Sequence, residues 1–401
     1  MARALILIGG TIMGSGLLYV QAAQRLGLHP ITLSDDPSRY DHFAAREAKT
    51  IRVDTDDLDA LIRECSRLRA TYDIAGITSA RDSFYAAAGK LCRHFRLPGP
   101  NPEAIEQCCD KYTQRELLAA AGVPIPAYRL AANAADAEGF AAEIGLPVIV
   151  KPAEGSGSVG VRLCRTADEV SAHTTHLLHG QHIWRSAPRI LVEEFAQGPL
   201  YGANIMGNEV IVIGTLDFGP PPYFVYHGST YPALLSDEDH ERITDVSLSC
   251  LRALGLGWGP TGIEFRWTKR GPVVIEVNPR LPGSPDPQLI KLAYGVDLIT
   301  EHIKLAIGDE WNLDRTESQI ATVRYLVADR DGTLDWIDGE SQAAAVSGVA
   351  EVKFYVQPKT TIVRKGDFRD CIGHVIAASP TLEESKAMLQ RAVDLIHWSI
   401  T

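Results

Sequence analysis

Apolar residues along the first hundred positions fall into short runs separated by stretches of helical spacing. Ala4–Ile8 reads as a strand, followed by a turn holding Gly9, Gly10, Gly14 and Gly16 and a helix to about Leu26. Pro30–Leu33, Thr50–Val53 and Asp73–Ile77 read as further strands. That alternation predicts an open, mainly parallel α/β sheet. Proline-rich Leu97–Pro102 closes the unit, and a helix is expected over 103–121, around Lys111, stopped by Gly122, Pro124 and Pro126. A smaller mixed segment follows over about 127–195: a helix at 134–144, a strand at 147–152, a glycine-rich turn, a strand at 159–164, a helix at 167–180 and a strand at 190–194. More strands and two helices run on to about 310. The tail is strand-rich, through Ile320–Val327, Val352–Val356 and His374–Ala378. It ends on a helix, Thr381–Ile396, that opens with a Thr381-x-x-Glu384 capping box.

Composition narrows the function classes. At 401 residues, 45% hydrophobic and 22% charged, the chain is an ordinary globular protein of two or three domains. A net charge of −11 argues against a nucleic-acid or anionic-membrane footprint, so an anionic ligand would need a few local cations and a metal. Seven scattered cysteines with no CxxC pair indicate neither a disulfide framework nor a zinc ribbon, and a reducing cytoplasm is expected. No apolar run reaches the ~20 residues of a membrane span. Met1–Val20 has the look of a signal peptide, but its four glycines and the αβ pattern after it favour a first strand and loop.

The chemistry concentrates in Thr261–Arg280. Two apolar runs flank Lys269-Arg270-Gly271, which suits a three-residue hairpin loop with glycine in the left-handed position. With Thr268 opposite Pro272, Glu264 falls directly opposite Glu276, and Asn278 lies on the face of Glu276. Like charges opposed on a sheet repel, and both interrupt apolar stretches. A hard divalent cation resolves the conflict, since two carboxylates and an amide oxygen are oxygen ligands suited to Mg²⁺. A solvated acidic face is the plainer alternative; Asn278 and Arg280 on the same rim favour the metal.

Pro147–Val161 carries a Gly155-Ser-Gly157-Ser-Val-Gly160 turn. A strand follows it where a dinucleotide fold needs a helix, and no Gly-Lys-Ser/Thr of a Walker loop is present. The remaining reading is a hairpin whose N–H groups, with Ser156 and Ser158, fold over phosphates. Lys151 ends an apolar strand, where its charge is costly unless an anion pairs it. No H-R-D or D-F-G follows, which excludes a protein kinase.

These parts come in one order: Lys111 on a helix, Lys151-Pro152 before the Gly/Ser loop, the strand end Leu191–Phe195, then Glu264, Glu276, Asn278 and Arg280. The series resembles the ATP-grasp superfamily across essentially the whole chain, and the tail resembles its C-terminal β domain through Gly373-His374. The resemblance implies an α/β and α+β ATP-grasp fold. A Rossmann-like pre-ATP-grasp domain would span 1–110, an ATP-grasp domain 111–310 with a lid at about 127–195, and a β-rich domain 311–401. It further implies that Lys111 and Lys151 contact ATP phosphates under a lid of Glu154, Gly155, Ser156, Gly157 and Ser158. Glu193, Glu194, Phe195 and Ala196 would form the hinge that reads adenine. Glu264, Glu276 and Asn278 would hold one or two Mg²⁺, with Mn²⁺ as a substitute, and Arg280 would steady the phosphoryl group. Leu200 stands where many members carry a ribose-binding Glu, so ribose contacts would come from elsewhere.

Among subfamilies, Tyr223–Pro232, Asn278–Ser284 and Gly295-Val-Asp297 most resemble L-amino-acid ligases, which join amino acids into dipeptides, often in bacterial peptide-antibiotic pathways. Amino-acid substrates, with Gly283 and Ser284 beside them, and a homodimer are the matching expectations. A ligase of purine or cofactor synthesis, a γ-glutamyl ligase and a non-catalytic ATP-binding protein are the alternatives. An NAD site is not expected. His227 and Tyr231, in a Gly/Pro-rich loop, either line the substrate or serve the loop alone. His173, His176, His179 and His182 read as a solvated lid helix, because a three-residue spacing drifts around a 3.6-residue helix. Cys108-Cys109 reads as helix packing.

Overall fold

The computed structural model describes residues 1–9, 15–40, 48–180 and 189–401. The turn at 10–14 and His182 lie outside the described residues. Four parallel strands in the order Lys49–Arg52, His29–Ser34, Ala2–Ile8, Tyr72–Thr78 form the first sheet. Both faces are apolar, as a parallel sheet covered on two sides requires. Ala4, Ile6 and Ile8 pack with Leu61 and Leu91 from the helices Leu58–Leu68 and Asp82–Phe95. Leu5 and Leu7 pack against the helices Ser15–Arg25 and Leu298–Ile307 through Tyr19, Val20 and Ile303.

The helix expected over 103–121 is broken in two, Pro102–Cys109 and Lys111–Ala120. Asp110 leaves the helical region (φ −90°, ψ 108°) and its carboxylate accepts from Thr113 N at 2.7 Å. An aspartate can cap a new helix in this way, and the sequence pattern passed over it. Lys111 therefore opens a helix, with its N–H donating to Ala153 O (2.8 Å).

A four-stranded antiparallel sheet, Tyr128–Ala131, Ile190–Glu194, Val148–Pro152 and Arg162–Cys164, carries the helices Ala134–Ile144 and Ala167–His179 on a small core of its own. The strand expected to begin at 159 begins at Arg162, because residues 155–160 turn repeatedly. His173 is not solvated as expected: its Nε2 meets Gly160 O at 2.9 Å, and burial lowers its pKa to about 4.

The largest sheet has eight strands, in the order Gly271–Asn278, Pro260–Thr268, Leu200–Met206, Glu209–Phe218, Tyr226–Tyr231, Ile320–Val327, Cys371–Ser379, Val349–Phe354. Ile263, Phe265 and Val274 face the helix Asp237–Leu254 on one side. Beyond 311, Ile320–Val327, Cys371–Ser379 and Val349–Phe354 continue this sheet, while Thr361–Ile362, Gly332–Asp338 and His397–Ile400 form a separate three-stranded one. Tyr226–Tyr231, read in the sequence as loop, is a strand inside the large sheet. The closing helix ends at Val393, and His397–Ile400 pairs with the strand Gly332–Asp338. No helix among the described residues is long and apolar enough to cross a membrane.

Gly198 ties the hinge strand to the large sheet. Its φ is +144°, and a Cβ there would lie 1.9 Å from the Trp267 carbonyl oxygen. Gly198→Ala is expected to destabilise by about 2 kcal/mol or more. Gly139→Ala, in an open helix position with nothing within 4 Å, should be neutral or stabilising. Urea denaturation followed by circular dichroism compares the two.

Candidate active site

The strands Pro260–Thr268 and Gly271–Asn278 place Glu264 opposite Glu276, as expected, but by a different route. Thr268 faces Gly271, so the loop holds two residues, Lys269 and Arg270. Thr268 Oγ1 closes this tighter turn, accepting from Arg270 N (3.0 Å) and donating to Gly271 O (3.1 Å). A β-bulge at Ile275 then restores the pairing, and the Ile275 carbonyl accepts from Arg115 Nη2 at 2.5 Å.

The carboxylate pair is electrostatically unequal. Burial, then Glu276, raises Glu264 to about 7. Burial also pushes Glu276 upward, but Lys111, Lys151 and Arg280 outweigh it and hold Glu276 below the ordinary carboxylate range. Lys111 Nζ lies 2.9 Å from Glu276 Oε1 and donates to Gly155 O at 2.5 Å. Glu264 has no such pair among the described residues. Among them there is also no group of three or more His, Cys, Asp or Glu that could hold a metal. The donor set is thus two carboxylates with Asn278 beside them, and Glu264 is short of positive charge. Those residues fit a hard divalent cation whose shell is completed by water and phosphate oxygens.

Lys151 is buried and reaches Glu193 Oε2 at 2.6 Å, while Glu193 Oε1 accepts from Arg115 Nε at 2.8 Å. The Glu193 side chain is therefore committed to two cations and is not free to read a base. Burial and Arg115 hold Lys151 below its ordinary pKa against the pull of Glu193. Arg115 was missed in the sequence, although it stands four residues after Lys111 on one helix face, a spacing that brings side chains together. Glu194 pairs with Arg270 (2.7 Å), and Ala196 N donates to Glu194 O at 3.0 Å. Phe195, Ala196 and Leu200 line the cleft beside them.

Above, Glu154, Gly155, Ser156, Gly157 and Ser158 line a cleft of about 860 Å³. Gly157 (φ +67°) lies against Phe368, whose ring a Cβ would meet at 2.5 Å. At the far rim Arg280 Nε lies 3.2 Å from Asp82 Oδ2, a partner from the first sheet's helix that sequence reading also missed. Gly283 and Ser284 line the cleft, and Ser284 O accepts from Tyr325 OH (3.0 Å). Tyr231 lines its floor. His227 does not line it: it is the extra residue of a bulge, with its ring against Gly219. Burial raises the Cys109 thiol to about 12, which suits packing and not nucleophilic chemistry.

Residues 110–314 match the family described as carbamoyl-phosphate synthase L chain, ATP binding domain, and residues 20–99 match the ATP-grasp N-terminal domain. This chain belongs to the ATP-grasp superfamily of carboxylate–amine ligases. Its residues 324–401 match L-amino acid ligase C-terminal domain 2. It is 60% identical, over its whole length and 84% of the relative's, to the uncharacterised protein y4rH of Sinorhizobium fredii. Carnosine synthase 1 of Mus musculus is 29% identical over 76% of this chain, which spans 40% of that larger protein. L-amino acid ligase from Bacillus licheniformis superposes with a TM-score of 0.84 at 20% identity, covering 100% of this chain and 99% of that one, a likeness of fold.

The raised Glu264 gives a pH test. Below about 4.5 both native and unfolded chains hold this proton. Between about 4.5 and about 7 only the native chain holds it, so its contribution to metal-free stability falls as pH rises through that window. A bound cation requires the deprotonated form. Mg²⁺ is therefore expected to raise the melting temperature more at pH 8 than at pH 6, measured by differential scanning fluorimetry against EDTA. Glu264→Gln should remove most of that difference.

Proposed function

We propose that this protein is an ADP-forming ligase that joins two amino acids through an acyl-phosphate intermediate. The observation that carries the reading is the carboxylate pair Glu264 and Glu276 meeting Lys111, Lys151 and Arg280 around one cleft. ATP would lie between the lid sheet and the large sheet. The Glu194–Ala196 segment, with Phe195 and Ala196 lining the cleft, would receive the adenine. Ser156 and Ser158, with the loop N–H groups, would cover the phosphates, and Lys111 and Lys151 would meet their charge. Glu193 and Arg115 act as positioning residues that hold Lys151. Glu264, Glu276 and Asn278 would hold Mg²⁺, which when bound neutralises charge on the β- and γ-phosphate oxygens.

A substrate carboxylate oxygen attacks the γ-phosphorus, the bond to the bridging oxygen breaks, and ADP leaves. Arg280, fixed by Asp82, is placed to steady the transferred group. An amine then attacks the acyl carbon, phosphate leaves, and the nitrogen loses a proton to give the amide. The loop over the cleft excludes water from the acyl phosphate during this interval. The match of residues 324–401 and the similarity to carnosine synthase 1 support amino acids as the substrates.

Mg–ATP incubated with pairs of amino acids is expected to release phosphate and ADP and to give a dipeptide mass. Glu276→Gln should lower turnover by about 100-fold or more. AMP with pyrophosphate, or no amino-acid-dependent turnover with any pair, would overturn the reading.

A further inference from the structure

Asp286 differs in its partners from the paired carboxylates of the cleft. Glu193 has Lys151 and Arg115, Glu276 has Lys111, and Asp82 has Arg280. Glu264 is the anion that a metal would relieve. Asp286 is buried and lines the same cleft, yet its partners among the described residues are three neutral hydroxyls. Ser229 Oγ donates to Oδ1 at 2.9 Å, while Tyr231 OH and Tyr226 OH donate to Oδ2 at 3.0 and 3.3 Å.

The chain is bent to build this arrangement. Along an unbroken strand, Ser229 and Tyr231 share a face and Tyr226 points to the other. The bulge at His227, between the pairs Asp217–Gly228 and Phe218–Tyr226, brings Tyr226 round to join them. Asn204 Nδ2 donates to Tyr231 OH (3.3 Å), leaving the tyrosine proton to point at Asp286. Hydrogen bonds to its charged form favour an ionised Asp286, whereas burial raises it to about 6, still ionised at neutral pH.

The site lies along the same sheet as the Glu264–Glu276 pair. Glu276, Glu264, Gly202 and Gly214 lie in one row across four strands, and the Tyr231 ring lies over Gly214, where a Cβ would meet it at 2.3 Å. Two strand spacings, ~10 Å, separate Glu264 from Gly214. With no side chain on Gly202 or Gly214, the floor between is formed by Leu216, which a Cβ at Gly202 would meet at 3.2 Å, and by the Tyr231 ring.

We propose that Asp286, oriented by Tyr226, Ser229 and Tyr231, binds the ammonium group of the amino acid whose carboxylate is phosphorylated. This rests on the ligase reading above and adds which substrate amine is recognised. The chemistry selects the donor's amine. The amine that attacks the acyl phosphate must be neutral, and a buried carboxylate beside it would stabilise the protonated, unreactive form. An ammonium held at Asp286 is therefore the one that does not react. The same contact protects the donor from acylation by a second activated copy, and it makes the donor the N-terminal residue of the product. A carboxylic acid without an amine would leave Asp286 buried without a counter-charge, which disfavours its binding.

Binding and turnover test this separately. Each common L-amino acid is titrated calorimetrically into wild-type protein holding MgADP, and the tightest is compared with its deaminated acid. The amino acid is expected to bind wild type about 30-fold or more tightly than the deaminated acid. Asp286→Asn, with Asp286→Ser as a second charge-removing variant, should erase that preference and leave MgADP affinity unchanged. In turnover with hydroxylamine as acceptor, the KM for the amino acid should rise by a similar factor and that for the deaminated acid should not. A purely structural role for Asp286, at the start of the helix Asp286–Tyr294, predicts a lowered urea midpoint and equal weakening of both acids. That outcome overturns the proposal, as does a wild type that binds no amino acid or binds both acids alike. Amine-dependent binding lost in Asp286→Asn, with no phosphate release from wild type, would sink the ligase reading and leave this site standing.

Discussion

Two carboxylates held opposite each other on adjacent strands repel, and the rest of the cleft is arranged around that repulsion. Glu264 and Glu276 are partly buried in the cleft, so water screens them only weakly. Lys111 relieves Glu276 from the start of its own helix, and that helix starts there because Asp110 breaks the preceding one. Lys151, held by Glu193 and Arg115, adds charge from the lid sheet. Arg280 adds more from just past the strand end, fixed by Asp82 at the start of the helix Asp82–Phe95. A helix, the lid sheet and the end of the large sheet's own strand thus bring cations to one pair of anions. Glu264 is left under-compensated, which is the condition for binding a divalent cation with its phosphates.

Such a site is costly to keep without its ligands. Partly buried like charges and a lysine held below its ordinary pKa are strain that a packed core must support. The support is visible on the opposite face of the same strands, where Ile263, Phe265 and Val274 pack with the helix Asp237–Leu254. Alternation along one strand thus serves stability on one face and chemistry on the other.

Much of this was legible in the sequence because it depends on local periodicity. The opposition of Glu264 and Glu276 follows from counting along a hairpin, and it survived a wrong turn length because the Ile275 bulge offsets the two-residue loop. The parallel first sheet, the glycine loop and the order of lysines and carboxylates are likewise short-range patterns. What escaped depends on contacts between distant segments or on one-residue irregularities. Glu193 was read as part of the adenine hinge, but the partners of its side chain, Lys151 on the neighbouring strand and Arg115 on a helix, are set by tertiary packing. Asp82 lies 198 positions from Arg280. His227 was a candidate and Tyr226 was not, and a single bulge reversed them. Asp110, read as mid-helix, is a cap, a choice that an aspartate's short side chain makes only where the chain must turn.

The central claim is that this cleft moves a phosphoryl group from ATP onto a carboxylate. Oxygen-isotope transfer tests it most directly. An amino acid labelled with oxygen-18 in its carboxylate is incubated with Mg–ATP and an acceptor amino acid, and the released phosphate is examined by phosphorus NMR. The account predicts one labelled oxygen in inorganic phosphate and unlabelled ADP. Label appearing in AMP, or unlabelled phosphate accompanying a labelled dipeptide, would contradict it.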